Sequence, residues 1–156
     1  MVLRFEDITH ENYHECIDLE VFPEQKDCFY FRSSKPNMMS LAEAYVFGNN
    51  SKVLAIYDDD TMVGAMFYNL PPGPEGRAWL VRFMVDRRYQ GKGHGRKALA
   101  MLIERVKGEG AKTLSLCYEP HNKVGEKLYL GMGFRPTGEE SEGQIVARID
   151  LGASHP

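Results

Sequence analysis

Gln90 to Gly95 reads QGKGHG, directly after the apolar run Trp79 to Val85 and directly before an amphipathic stretch, Arg96 to Lys107. A strand, a glycine-rich turn and a helix in immediate succession constrain the fold more than any other feature of the chain. The first N–H groups of a helix have no partner within it, and the aligned peptide dipoles add partial positive charge there. Gly91, Gly93 and Gly95 carry no Cβ, so the backbone can curl around an anion and approach it closely. Lys92, Arg96 and Lys97 place cationic side chains beside the same turn. The segment reads as a binding site for a phosphate-bearing ligand, with a plain surface turn as the alternative.

Variants of such a turn can be separated by spacing. The dinucleotide fingerprint requires GxGxxG in a βαβ unit with an acidic residue about twenty positions later, whereas this chain has GxGxG on a mid-chain strand. The P-loop requires GxxxxGK followed by Ser or Thr, which is absent here. A second segment, Asn122 to Phe134, reads NKVGEKLYLGMGF. Within it Asn122, Gly125 and Tyr129 fall at i, i+3 and i+7 and share one helix face. Gly125 in mid-helix is costly by about 1 kcal/mol against alanine, so a close neighbour is expected to need the room, the arm of a bound ligand being the candidate.

The pattern Q-x-x-G-x-G between strand and helix resembles motif A of the GNAT superfamily of acetyl-CoA-dependent N-acetyltransferases. NKVGEKLYLGMGF is similar to that family's N-x-x-(small)-x-x-x-Y-x-x-x-G-F signature, in the same order, and the resemblance covers roughly Leu54 to Leu151. WLVRFMVDRRYQGKG most resembles the bacterial spermine/spermidine acetyltransferases, which read W-[LI]-D-R-F-[FM]-[IV]-D before the turn. One position departs, since the Asp of that pattern falls at Val81.

The resemblance implies an α/β GNAT fold, a mixed central sheet flanked by helices, with acetyl-CoA as co-substrate. It implies backbone partners for the pantetheine arm at Phe83, Met84 and Val85, and pyrophosphate contacts from Gln90, Gly91, Lys92, Gly93, His94, Gly95, Arg96 and Lys97. Asn122 is expected to cap its helix, to bond the pantetheine arm, or both. Tyr129 is expected to supply a hydrogen bond or proton to the departing thiolate, its alternative being a space-filling core residue. The implied reaction is direct attack of a primary amine in a ternary complex, with a polyamine as first choice of acceptor. Other acceptors (an aminoglycoside, a peptide N-terminus, a lysine) and a non-catalytic acyl-CoA-binding module remain open, and a homodimer is a further expectation from the family.

Composition sets the outer bounds. The 156 residues, 43% hydrophobic and 26% charged, suit a single domain spanning 1–156 with one well-formed core. A net charge of −3 gives no basic footprint for nucleic acid and suits a cationic acceptor. No apolar stretch approaches the roughly eighteen residues needed to span a membrane, and the N-terminal MVLRFEDITHENYHE alternates charge with apolarity, unlike a signal peptide. Cys16, Cys28 and Cys117 lack metal-ligand spacing, as do the histidines, so reduced thiols in the cytoplasm and no metal are expected. Glu20, Glu24 and Asp27 are candidates for holding a cationic acceptor, a solvated surface being the alternative. Glu139, Glu140 and Glu142 read as an exposed hairpin turn.

Periodicity completes the order βααβββαβαββ. Val2 to Ile8 alternates as a strand, Thr9 is read as the cap of a first helix running through Glu20, and Ser40 as the cap of a second ending at Phe47. Val53 to Tyr57 and Met62 to Leu70 form a hairpin, Ala78 to Val85 a central strand, and Leu99, Leu102, Ile103 and Val106 the buried stripe of the long helix. Thr113 to Tyr118 is a strand, Asn122 to Leu130 a helix, and Gly133 to Thr137 with Gln144 to Leu151 a closing hairpin.

Overall fold

Burial of the middle of β2 (Ser51–Asp58) and of nearly all of β3 (Thr61–Asn69) makes these strands the centre of the molecule, covered on both faces. The computed structural model, which describes residues 2–26 and 35–152, sets them in one seven-stranded sheet of order β1-β2-β3-β4-β5-β7-β6. The other strands are β1 (Leu3–Asp7), β4 (Arg77–Val85), β5 (Thr113–Tyr118), β6 (Arg135–Ser141) and β7 (Gln144–Asp150). The helices are α1 (Tyr13–Asp18), α2 (Pro36–Phe47), α3 (His94–Gly108) and α4 (Lys123–Gly131). Among the described residues only the β4–β5 pair is parallel, so the sheet is mixed, and the element order is the one read from the sequence.

Each face of the sheet has its own core. On one, Leu54, Ile56, Met66 and Leu80 pack with Leu99, Leu102 and Val106 of α3. Fully burying a side chain of this size contributes about 1.5–3 kcal/mol. On the other, Ala55 lies opposite Ala65, and these small side chains let Cys16, Leu19 and Val21 pack close.

Tertiary contacts move several boundaries. The first helix begins at Tyr13, because Thr9 and Asn12 form a turn of their own in which the Thr9 N–H donates to Asn12 Oδ1 at 2.8 Å. It stops at Asp18, since the Glu20 N–H donates to Asp86 Oδ2 and the Glu20 carbonyl accepts from Arg87. The second helix starts at Pro36, before Ser40, with proline in the first turn where its missing N–H costs nothing. In the last hairpin Glu139 and Glu140 belong to β6, and the turn is Glu142–Gly143, both with positive φ (51° and 83°), the geometry that suits a two-residue hairpin loop.

The feature that creates a site lies in β4. Tyr68 of β3 is opposite Leu80 and Phe67 is opposite Arg82, so Val81 is an extra residue, a β-bulge. At that same level β5 departs, its pairing with β4 running only from Arg77↔Thr113 to Leu80↔Leu116. Beyond the bulge β4 stays with β3 as far as Val85↔Gly64. The bulge also swaps the sides on which residues face. Ala78 and Leu80 join the α3 core before it, Phe83 and Val85 join the same core after it, and Arg82 and Met84 turn toward α2.

Candidate active site

The gap between the ends of β4 and β5 is lined by α3 and α4, and the glycine loop sits at its rim. Asp86 ends β4 and caps a 3-10 turn, Arg87–Tyr89, accepting from the Arg88 backbone at 2.9 Å and from Arg88 Nε at 2.8 Å. Burial pushes its carboxyl upward, but the hydrogen bonds from Arg88 and Glu20 outweigh that and hold it below the usual carboxylate range. Gly91 and Gly93 have φ of 78° and 91°, and Gly93 is the N-cap of α3. Only glycine adopts such angles at no steric penalty. A Cβ on Gly95 would stand 3.7–3.8 Å from Leu128, Phe83 and Val85, inside the cleft.

Side chains of the loop differ from the sequence expectation. His94 turns inward and is buried, with Nε2 2.9 Å from Asp58 Oδ2 and Nδ1 3.1 Å from the Tyr89 carbonyl. Its imidazole therefore pins the loop to the β2–β3 hairpin. That contact holds the Asp58 carboxyl below its usual range. Gln90 likewise turns inward: its Nε2 donates to the Val85 carbonyl at 2.8 Å and its amide pairs reciprocally with Gln25. Lys92, Arg96 and Lys97 lie exposed on the outer side.

Backbone alternation sorts the three β4 residues. The Asp86 N–H donates to Val63 of β3, so Met84 and Asp86 turn their main-chain groups into the ladder and Phe83 and Val85 turn theirs to the open edge. The Met84 carbonyl is so close to β3 that a Cβ on Gly64 would meet it at 2.4 Å. Expected partners Phe83 and Val85 thus face the gap with main-chain groups, whereas Met84 gives its main chain to the ladder and its side chain to the core beside α2. Asn122 caps α4, its Oδ1 accepting from the Gly125 N–H at 3.0 Å. The room left by Gly125 is filled by Asn122 itself, since a Cβ there would lie 2.6 Å from Asn122 Nδ2.

Two clefts open on either side of this gap. One, of about 160 Å³, lies between the loop and α4 and includes Gln90, Gly91, Gly95 and Leu128. The other, of about 640 Å³, is walled by Trp79, Leu80, Val81, Arg82, Glu119 and the β6–β7 turn. They share Phe83, Asn122 and Tyr129. Tyr129 is 9% exposed, its ring packed on Tyr118 and Phe134 at 5.8 and 6.1 Å, so it is both a core residue and part of each cleft wall.

Of the acidic residues considered for the acceptor, Glu20 pairs with Arg87 and Glu24 sits in the exposed turn Pro23–Gln25; neither lines a cleft. Asp27 lies outside the described residues. Glu142, read as plain exposed turn, lines the larger cleft. So do Glu119, Arg82 and Glu43, which sequence reasoning did not single out. Arg82 alone carried a signal: a charge inside an apolar strand demands a partner. That partner is Glu43 of α2, hydrogen-bonded to Arg82 Nη1 beside Ser40 Oγ.

A glycine turn at a helix N-terminus, a split parallel pair and two clefts sharing Phe83, Asn122 and Tyr129 suit the meeting of two substrates. The chain belongs to the acetyltransferase (GNAT) family, which matches residues 17–134. It is 31% identical over 145 residues to the spermine/spermidine N(1)-acetyltransferase of Bacillus subtilis, covering 89% of this chain and 91% of that protein. Its fold superposes on the PaiA N-acetyltransferase of Thermoplasma acidophilum in complex with coenzyme A (TM-score 0.75, 16% identity, 96% of this chain and 99% of that one). It also superposes on the spermidine N-acetyltransferase of Vibrio cholerae in complex with CoA and spermine (TM-score 0.72, 14% identity, 94% and 92%). Acetyl-CoA is the co-substrate of this family.

Proposed function

We propose that the protein moves the acetyl group of acetyl-CoA to a primary amine by direct attack in a ternary complex, with spermidine or spermine as acceptor. The observation that carries this reading is the meeting of two clefts at Phe83, Asn122 and Tyr129, so that donor and acceptor reach one point from opposite sides. Main-chain N–H groups from Gly91 to Gly95 face the pyrophosphate, and the open-edge amides of Phe83 and Val85 face the pantetheine arm. The Tyr129 hydroxyl hydrogen-bonds or protonates the leaving thiolate. Cys117 lines the acceptor cleft, and burial pushes its thiol up, which disfavours an acyl-enzyme route.

The polyamine acceptor is supported by the Bacillus subtilis relative and by carboxylates at 43, 119 and 142 in the acceptor cleft. Cys16 and Cys117 are free thiols, in keeping with a cytoplasmic enzyme. Thiol release from acetyl-CoA, measured across spermidine, spermine, an aminoglycoside and peptides, tests the proposal. Turnover of the polyamines at the highest kcat/KM is expected. Turnover of peptide or aminoglycoside amines alone rejects the acceptor, and acetyl-CoA binding without any turnover rejects the enzyme.

A further inference from the structure

Charge in the acceptor cleft is unevenly balanced. Arg82 reaches it from β4 with a side chain 17% exposed, and Glu43 and Ser40 hold its guanidinium, so the one cation among the described lining residues is already neutralised. Glu142 sits on the exposed hairpin turn. Glu119, at the departing end of β5, is half-buried, and its Oε1 accepts from Gln144 Nε2 of β7 at 3.3 Å. Gln144 orients that carboxylate without cancelling its charge, and no cation among the described residues lies within ion-pair distance of it. Trp79, Leu80 and Leu116 supply an apolar wall on the same cleft, suited to methylenes. Across the gap, Val81 offers no carboxylate and is 41% exposed to the cleft.

We propose that Glu119 is the specificity-determining residue for the acceptor: its carboxylate holds an ammonium of the acceptor other than the amine being acetylated, from β5 and not from β4. The proposal rests on the polyamine reading above. A half-buried carboxylate, oriented by a neighbour and unpaired, attracts a cation more strongly than a freely solvated one. Glu43 then serves the same end indirectly, since an unneutralised Arg82 would repel the ligand.

The test compares kcat and KM for spermidine and for butylamine, which has no second ammonium, in wild type, Glu119→Gln, Glu119→Asp and Glu119→Gln/Val81→Asp. Acetyl-CoA affinity and circular dichroism of each variant report folding. Glu119→Gln is expected to cut the preference for spermidine over butylamine, as a ratio of kcat/KM, by about tenfold, through KM. Glu119→Asp should fall between, and Val81→Asp should return part of the preference by supplying the charge from the opposite wall. The rise of spermidine KM with salt should flatten in Glu119→Gln. A preference ratio unchanged within about twofold, or an equal fall in kcat for both amines, overturns the assignment while leaving a polyamine acetyltransferase. A folded wild type that releases no thiol with any polyamine overturns the acceptor reading, and this assignment with it.

Discussion

The two clefts are built by different means. The side proposed for the cofactor is walled by main chain: the open-edge amides of Phe83 and Val85, the loop Gly91–Gly95 and the first turns of α3 and α4. Its side chains mostly point away, Gln90 onto Val85, His94 onto Asp58 and Asp86 onto Glu20, so they hold the loop's shape. The acceptor side uses side chains drawn from α2, β4, β5 and the β6–β7 turn, residues far apart in the chain. A site made of backbone is fixed by glycines and caps at set spacing. A site made of side chains is fixed by whatever the fold happens to bring opposite.

This contrast can be broken at the shared wall and sharpened on either side of it. Tyr129→Phe deletes only a hydroxyl at the junction, so kcat should fall by about 10² to 10⁴ while acetyl-CoA affinity holds. Unchanged kcat under chemistry-limited conditions would reduce Tyr129 to packing. Next in size, Gly95→Val fills the space beside Phe83, Val85 and Leu128, and acetyl-CoA affinity should weaken by more than about tenfold, with the far-ultraviolet spectrum retained; calorimetric affinity within threefold of wild type would remove the loop from the site. Glu43→Gln acts on the other cleft alone: with Arg82 unpaired, KM for spermidine should rise by about fivefold, and a rise in acetyl-CoA dissociation constant instead would contradict the separation.

The smallest effect concerns the loop's anchors and their pH dependence. Asp58 is held below the usual range first by its hydrogen bond from His94, and Asp86 by bonds that outweigh burial. Carboxyls lowered in the folded state contribute stability that is fully present above the unfolded value, about 3.9, and lost as pH falls through the folded one. Melting temperature and acetyl-CoA affinity should therefore hold from neutrality to about pH 5 and decline below about pH 4. Asp58→Asn should lower affinity by about twofold at pH 7 and decline less steeply in acid; a curve parallel to wild type would remove Asp58 as a source of the acid sensitivity.

The element order and the glycine turn at the head of α3 were legible in the sequence, because strand, turn and helix are local and their spacing is visible there. What it concealed was orientation. Nothing in QGKGHG says that His94 faces Asp58, since Asp58 is 36 positions away and meets it only when the hairpin folds over the loop. Gly125 reads as making room for the arm of a bound ligand, yet the occupant is Asn122, three residues before it. Helix ends shifted where distant groups claimed the backbone, as Asp86 and Arg87 do at Glu20. The acceptor wall stayed hidden except for Arg82, whose charge in an apolar run was visible without its partner.

The bulge at Val81 gives β4 two segments that are out of phase. Residues before it and after it belong to different repeats of the same alternation, and Val81 belongs to neither. A side chain can be exchanged there without moving any residue of either core. The extra residue matters for shape: removing it would restore regular pairing, with Leu80 and Arg82 adjacent and Phe83 and Val85 still on the α3 side, and would take away the bend at the level where β4 and β5 part. Position 81 is thus free in chemistry and fixed in number: its side chain can change while the pairing of β4 with β3 stays in register.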